Sequence, residues 1–211
     1  MVHSKKQGTN RAKELAIIKK KISIVDPAFL PAIMNLEPCI FGLVKPKVSH
    51  YQSLIRAVIA QQVSTAAAQT ISGRLETKCN GLITAAKVGA LSDKQLQSVG
   101  LTGAKVRAIS ELTSAVLSGE INFRKFAHMS DEEIIQELLP LFGIGRWTVE
   151  MFLIFHLGRL DVWPVDDLAV RRGWDNLHAN SDPIKPKELQ RLGEQFIGMR
   201  SVVAWYCWRA S

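Results

Sequence analysis

Cysteine is scarce and poorly placed for chemistry. Cys39, Cys79 and Cys207 are odd in number and far apart, and neither a C-x-x-C pair nor a Cys/His ligand spacing occurs. Zinc and iron–sulfur centres are therefore not expected, and reduced thiols in an intracellular compartment fit best. Long apolar runs are missing too. The longest, "MFLIFHLG" at 151–158, is far too short to span a bilayer. Lys5, Lys6, Arg11, Lys13 and Lys19 to Lys21 interrupt any apolar core of a signal peptide. Strand-like alternation is absent, and apolar positions recur every three or four residues. These absences leave an intracellular, soluble, all-α chain, with no membrane partner expected.

What is present is positive charge. The 211 residues carry 27 Lys and Arg against 19 Asp and Glu, a net +8. An anionic partner follows, and nucleic acid is the commonest one. Length permits one large domain or two small lobes, either able to bury a core.

Helix signals run through the chain. A basic amphipathic helix is expected over "AKELAIIKKKISIV", and Asp26-Pro27 opens a second. "FGLVKPKVS" reads as a linker because Pro46 bars helix. Ser49 caps "YQSLIRAVIAQQV", and Ser64 or Thr65 leads into "AAAQTISGRLETKC". Ser92 caps a helix that Gly100 ends, and Gly119 closes "AKVRAISELTSAVLS". Ser130 with Glu133 makes a capping box before "IIQELLPLF". "GRWTVEMFLIFHLG", "LAVRRGW", "KELQRLGEQFI" and "SVVAWYCWRA" complete the set.

One turn between helices stands out. In "LFGIGRWTVEM" a helix is expected to end at Leu141, and a new one to begin near Arg146 after Gly143-Ile144-Gly145. Glycines permit positive φ and close backbone approach. The free amides and dipole at the start of the second helix favour an anion such as a nucleic-acid phosphate. Ile144 would anchor the turn in the apolar space between the helices. A similar but weaker pattern, "SVGLTGAKVRAI", is read as an ordinary turn. Further on, Asp166 and Asp167 follow Trp163-Pro164-Val165, and a carboxylate there also suits the N-cap of "LAVRRGW".

"LFGIGRWTVEMF" followed by "DVWPVDD" resembles the helix-hairpin-helix, glycine/proline-rich, aspartate (HhH-GPD) superfamily of DNA base-excision glycosylases. More narrowly it resembles the alkylbase branch, DNA-3-methyladenine glycosylase II. The resemblance covers roughly Tyr51 to the C-terminus and includes "YQSLIRAVIAQQVSTAAA" and "RSVVAWYCW". The 20 positions from Trp147 to Asp167 match the family spacing. Phe142 stands where the family often has proline. The N-terminal β-domain of longer bacterial members is not matched, so the chain resembles the short form.

The resemblance implies a mechanism. Asp167, or its neighbour Asp166, would be the carboxylate that assists cleavage of the N-glycosidic bond; spacing favours Asp167. As the base leaves, the sugar gains positive character that a carboxylate stabilises in a dry site, and the same group can orient or deprotonate water. Trp147 occupies the place of the lysine that forms a Schiff base in the bifunctional branch. Water would then be the nucleophile, leaving an intact abasic site. Trp147 and a second matching residue, Trp208, would stack on a cationic, methylated purine. Gln62 matches the residue inserted into the base stack, with Gln61, Ser64 and Thr65 near the backbone. Gly143, Ile144, Gly145, Arg146 and Thr148 of the hairpin would contact DNA. Carbonyls of Leu139, Leu141 and Gly143 would hold a monovalent cation, Na+ or K+, that touches a phosphate. No cofactor is expected for catalysis.

The expected architecture is two helical lobes, 49–152 and 1–48 with 153–211, with the hairpin at the cleft between them. The expected function is hydrolytic excision of 3-methyladenine and 7-methylguanine from double-stranded DNA during base-excision repair, by an intracellular monomer, in the cytoplasm and nucleoid of a prokaryote or the nucleus of a eukaryote. Two alternatives stay open: a non-catalytic helix-hairpin-helix DNA-binding module, and a glycosylase for hypoxanthine, ethenoadenine or uracil.

Overall fold

The computed structural model describes the backbone of residues 2–211 and side chains from residue 9 onward; Met1 and the Lys5 and Lys6 side chains lie outside the described residues. The chain is all-α, with no strand among the described residues. Its helices are α1 (Val2–Val25), α2 (Leu30–Asn35), α3 (His50–Ala60), α4 (Thr65–Lys78), α5 (Ala85–Gly89), α6 (Asp93–Ser98) and α7 (Gly103–Ser118). There follow α8 (Asp131–Leu138), α9 (Arg146–Met151), α10 (Leu168–His178), α11 (Pro186–Leu192) and α12 (Arg200–Ala210). Among the described residues, no helix is long and apolar enough to cross a membrane.

Two compact units emerge, Met1–Lys45 with Leu153–Ser211, and Pro46–Phe152. In the first, α1 buries Leu15, Ile18 and Ile22 on one face, the spacing expected of a half-buried helix. Phe29, Trp174 and Phe196 meet edge to face at 5.6 to 6.2 Å. The central contact is α10 against α12. It depends on Gly173, where an added Cβ would overlap the Cys207 carbonyl; no other residue permits this approach. In the second unit, Leu54, Ile55, Val58 and Ile59 of α3 are fully buried. Phe123, Phe126 and Phe152 pack around His50, whose burial lowers its pKa from 6.5.

Side-chain caps set most starts. Ser49, Ser64, Thr84, Ser92, Thr102 and Ser130 each accept from an amide three residues on. Ser130 and Glu133 form the expected capping box, and Ser92 with Gln95 forms a second. Asp26 accepts from Ala28 N, although a 3-10 turn, Pro27–Phe29, precedes α2.

Several expected helices are corrected. α3 stops at Ala60, because Gln62 turns left-handed at φ +54. α8 ends at Leu138 rather than Leu141, since Pro140 has no amide to continue the ladder. Beyond α9 the chain widens into a π turn, Phe152–His156. α11 breaks at Gly193 into a 3-10 turn, where a Cβ would strike the Trp163 indole. The three cysteines are free and buried, and burial pushes the Cys39 thiol up to about 11. Among the described residues, no group of three His, Cys, Asp or Glu is placed to hold a metal.

Candidate active site

The residues singled out by sequence fall into both units: Gln62, Ser64, the hairpin and Trp147 in the second, and Asp166, Asp167 and Trp208 in the first. In the second unit, the turn after α3 and the hairpin before α9 are joined by side chains. Gln61 Nε2 donates to Gly143 O and to Thr148 Oγ1, both at 2.9 Å. Lys105, on the first turn of α7, donates through Nζ to the carbonyls of Ile59 and Gln61, both at 2.8 Å. Burial lowers the Lys105 pKa from the ordinary lysine value. Gln62, between these anchored groups, is exposed.

The hairpin itself is built around one obligate glycine. Gly143 has φ +73, and a Cβ there would lie 2.8 Å from Ala108 Cβ. Ile144 is 2% exposed, so it anchors the turn from inside, with its amide donating to Leu141 O at 3.1 Å. Gly145 has ordinary φ (−86) as the N-cap of α9, and nothing lies within 4 Å of a Cβ built on it. Its openness matters only to something outside the unit. Phe142 N donates to Glu111 Oε2 at 2.9 Å, and the Arg107 guanidinium, paired with Glu111, sits 3.8 Å above the Phe142 ring.

Three of the residues expected at DNA have partners within the unit. Thr148 is 3% exposed, so its hydroxyl holds Gln61 rather than facing a partner. Ser64 accepts from Ala67 N at 3.2 Å as the α4 cap. Arg146 donates to both Glu132 oxygens at 3.0 and 3.1 Å and lies 3.9 Å from Glu150, so much of its charge is met within the unit. Trp147 stands on the first turn of α9 with 39% of its surface exposed.

In the first unit, the segment before α10 is laced to α12. Arg200 grips Asp161 with two bonds of 2.7 and 2.8 Å. Val162 N donates to Ser201 Oγ at 2.9 Å, and Trp163 Nε1 to Leu189 O at 2.9 Å. Trp163 and Trp205 are core residues. This lacing delivers Asp167 to the start of α10, where one carboxylate oxygen accepts from Ala169 N at 2.9 Å and Val170 N at 3.0 Å. The same oxygen accepts from Trp208 Nε1 at 3.1 Å. Asp166 is exposed, whereas Asp167 is half-buried. The N-cap role thus falls on the residue that spacing singles out for chemistry.

Sequence reasoning missed three neighbours. Phe155 is 55% exposed, with its ring 5.3 Å from Trp208 and 5.2 Å from Phe41. It sits in an apolar run that reads as core; the π turn adds a residue to the helical register and brings Phe155 out. Lys105 and Glu111 lie on α7 at positions that look like a solvated face, and no local pattern marks them.

Residues 55–199 match the model for HhH-GPD superfamily base excision DNA repair proteins. A DNA-3-methyladenine glycosylase of Schizosaccharomyces pombe is 34% identical over 168 residues, 78% of this chain and 74% of that protein. An alkylbase DNA glycosidase-like protein of the same yeast is 28% identical, over 90% of this chain and 91% of its own length. Among solved structures, a Schizosaccharomyces pombe 3-methyladenine DNA glycosylase in complex with abasic DNA superimposes with a TM-score of 0.80. That match has 31% identity and covers 90% of this chain and 94% of that one.

Proposed function

The chain belongs to the HhH-GPD superfamily of base excision DNA repair proteins, and from that premise we propose that it is a monofunctional DNA glycosylase releasing alkylated purines from duplex DNA. The observation that carries the chemistry is the carboxylate of Asp167 held by Trp208 Nε1 as well as by two α10 amides. A helix cap needs only the amides. The indole adds an aromatic surface beside the carboxylate, and Phe155 extends it.

On this reading each unit contributes a separate task. Gln62 inserts into the stack as the damaged nucleotide is extruded. The open amide side of Gly145 takes a backbone phosphate, which fixes position rather than sequence. A methylated purine already carries positive charge, so an electron-rich aromatic face favours it over a neutral base. As the glycosidic bond lengthens, positive charge moves onto the sugar, and the fixed Asp167 carboxylate lowers the energy of that state. Water then adds, with Asp167 positioned to take its proton. Trp147 has no amine, so no imine forms and the abasic strand stays intact. No His or Glu is assigned as general acid, because a cationic purine leaves without strong protonation.

The hairpin also suits a monovalent cation. Carbonyls of Leu139, Leu141 and Gly143 lie in the turn that follows α8. Leu141 O accepts Ile144 N and Gly143 O accepts Gln61 Nε2, and each oxygen retains a second lone pair. A hard cation held there would screen a DNA phosphate.

The test is a base-release assay on duplexes carrying 3-methyladenine, 7-methylguanine, hypoxanthine, ethenoadenine or uracil, with borohydride added in parallel. Release of the methylated purines, with no trapped adduct and no strand cleavage keeping pace, is the expected result. Release of only neutral lesions would move the substrate class. Binding without release of any base would make the chain a DNA-binding module instead.

A further inference from the structure

The turn after α3 holds more strain and more props than a helix end requires. A helix that needs a left-handed residue at its end usually places glycine there. This chain places Gln62, exposed, at φ +54. A side chain in that conformation persists only when its surroundings fix it, and such positions gather at functional sites. Here the fixing groups are identifiable. With α3 ending at Ala60, its last carbonyls have no amide four residues on, and Gln61 N makes only a long 3.4 Å bond back to Val58 O. Lys105 Nζ bridges the carbonyls of Ile59 and Gln61, one on each side of the helix end. The Gln61 side chain turns inward and forks onto Gly143 O and Thr148 Oγ1. Through it the turn is tied to the hairpin glycine at φ +73, which lies too close to Ala108 to accept a side chain.

We propose that Gln61 and Lys105 are positioning residues that hold Gln62 in its inserting conformation and couple it to the glycine hairpin, so that seating a phosphate and entering the base stack are one event. The inference rests on the reading of Gln62 as the inserted residue given above. Neither group touches substrate. Their removal should therefore spare duplex affinity, which phosphate contacts dominate, and should impair extrusion.

The experiment uses the full chain and a duplex with 2-aminopurine beside a 3-methyladenine, whose fluorescence rises when the stack opens. Four variants serve: Lys105→Met, Lys105→Arg, Gln61→Glu and Asp167→Asn. Glutamate matches glutamine in size but has no N–H for Gly143 O. Lys105→Met and Gln61→Glu should lose the fluorescence rise and slow single-turnover release by about tenfold or more, while affinity for undamaged duplex stays within roughly threefold. Lys105→Arg should recover most of both signals, since a guanidinium offers two donors to two carbonyls. Asp167→Asn should extrude without releasing, which separates extrusion from chemistry. Wild-type extrusion matched by Lys105→Met and Gln61→Glu would overturn the coupling alone. A parallel fall of affinity, melting temperature and extrusion, without rescue by arginine, would reduce the pair to structural supports. A wild-type chain that opens no stack would overturn the glycosylase reading and the coupling together.

Discussion

At the Gln61 to Ser64 turn, the groups left over by the fold are carbonyls at the end of a helix, and the Lys105 ammonium comes to two of them while the Gln61 side chain ties the turn to Gly143 O. At Asp167 the leftover groups are amides at the start of a helix, and a side-chain acceptor comes to them. The two regions solve opposite versions of the same problem, and the residues that result differ. The donors at the turn stand behind the residue proposed to act, so support and action lie on different side chains. At Asp167 they coincide. Substitutions at the turn can therefore remove action without support, whereas Asp167 needs a replacement that keeps one role and drops the other.

Asparagine is that replacement, and it carries the largest expected effect. Asn caps helices about as well as Asp, so stability of Asp167→Asn should change by less than about 1 kcal/mol. Base release should fall on the order of 10³-fold, as expected when a positioned charge is removed from a developing ion. Asp167→Ala should match that loss and also cost roughly 1 kcal/mol of cap, measured by urea unfolding. Asp166→Asn, at an exposed position, should leave turnover near wild type. If Asp166→Asn is dead and Asp167→Asn active, the carboxylate has been placed one residue too far along.

The two hairpin glycines sharpen the contrast between support and action. Gly143→Val meets Ala108 and a left-handed φ, and should destabilise the second unit by roughly 2 kcal/mol or more. Gly145→Val meets nothing in the protein, and should cost within about 1 kcal/mol as a poorer cap. It should nonetheless weaken binding to damaged and undamaged duplex alike by about tenfold, with a shallower salt dependence than wild type. Unaltered binding by Gly145→Val would take the hairpin out of the interface.

Gln62→Gly is a smaller effect with opposite signs on its two readouts. Glycine relieves the left-handed backbone, so stability should rise by about 1 kcal/mol, while 2-aminopurine unstacking should disappear. A variant that is both unstabilised and still able to open the stack would place the strain and the insertion elsewhere.

Much of the fold was legible because it follows from short-range rules. Ser49, Ser92, Ser130 and Gly119 mark helix ends by side-chain or backbone chemistry that acts within four residues. The family resemblance located Asp167 and Trp208 but not the bond between them, which depends on Gly173 admitting α12 beside α10. Thr148 and Gln61 were placed near DNA by the resemblance alone; tertiary packing joins their side chains to each other, which no local pattern reveals. Lys105 and Phe155 were illegible for different reasons. The lysine finds its carbonyls 46 and 44 residues away, and the phenylalanine is turned outward by a π register that apolar periodicity does not reveal.

The smallest expected effect concerns the brace behind the hairpin. The Phe142 amide, and after it the Arg107 guanidinium, hold the Glu111 carboxyl below its ordinary value of 4.5. A depressed folded-state value means that the unfolded chain binds the proton more readily. The stabilisation is therefore complete above pH 4.5 and is lost as pH falls through the lower folded value. Glu111→Gln keeps an oxygen for Phe142 N but gives up the charge that Arg107 meets. At neutral pH its melting temperature should lie slightly below wild type, because exposed ion pairs contribute little. The gap should narrow steadily below pH 4.5, as the wild-type carboxyl takes up its proton and comes to resemble the amide. A gap that stays constant across this range would mean that Glu111 braces the hairpin by shape alone. Raising salt at neutral pH gives an independent check: screening should close the same gap, while leaving untouched the Gly143→Val defect, which is steric.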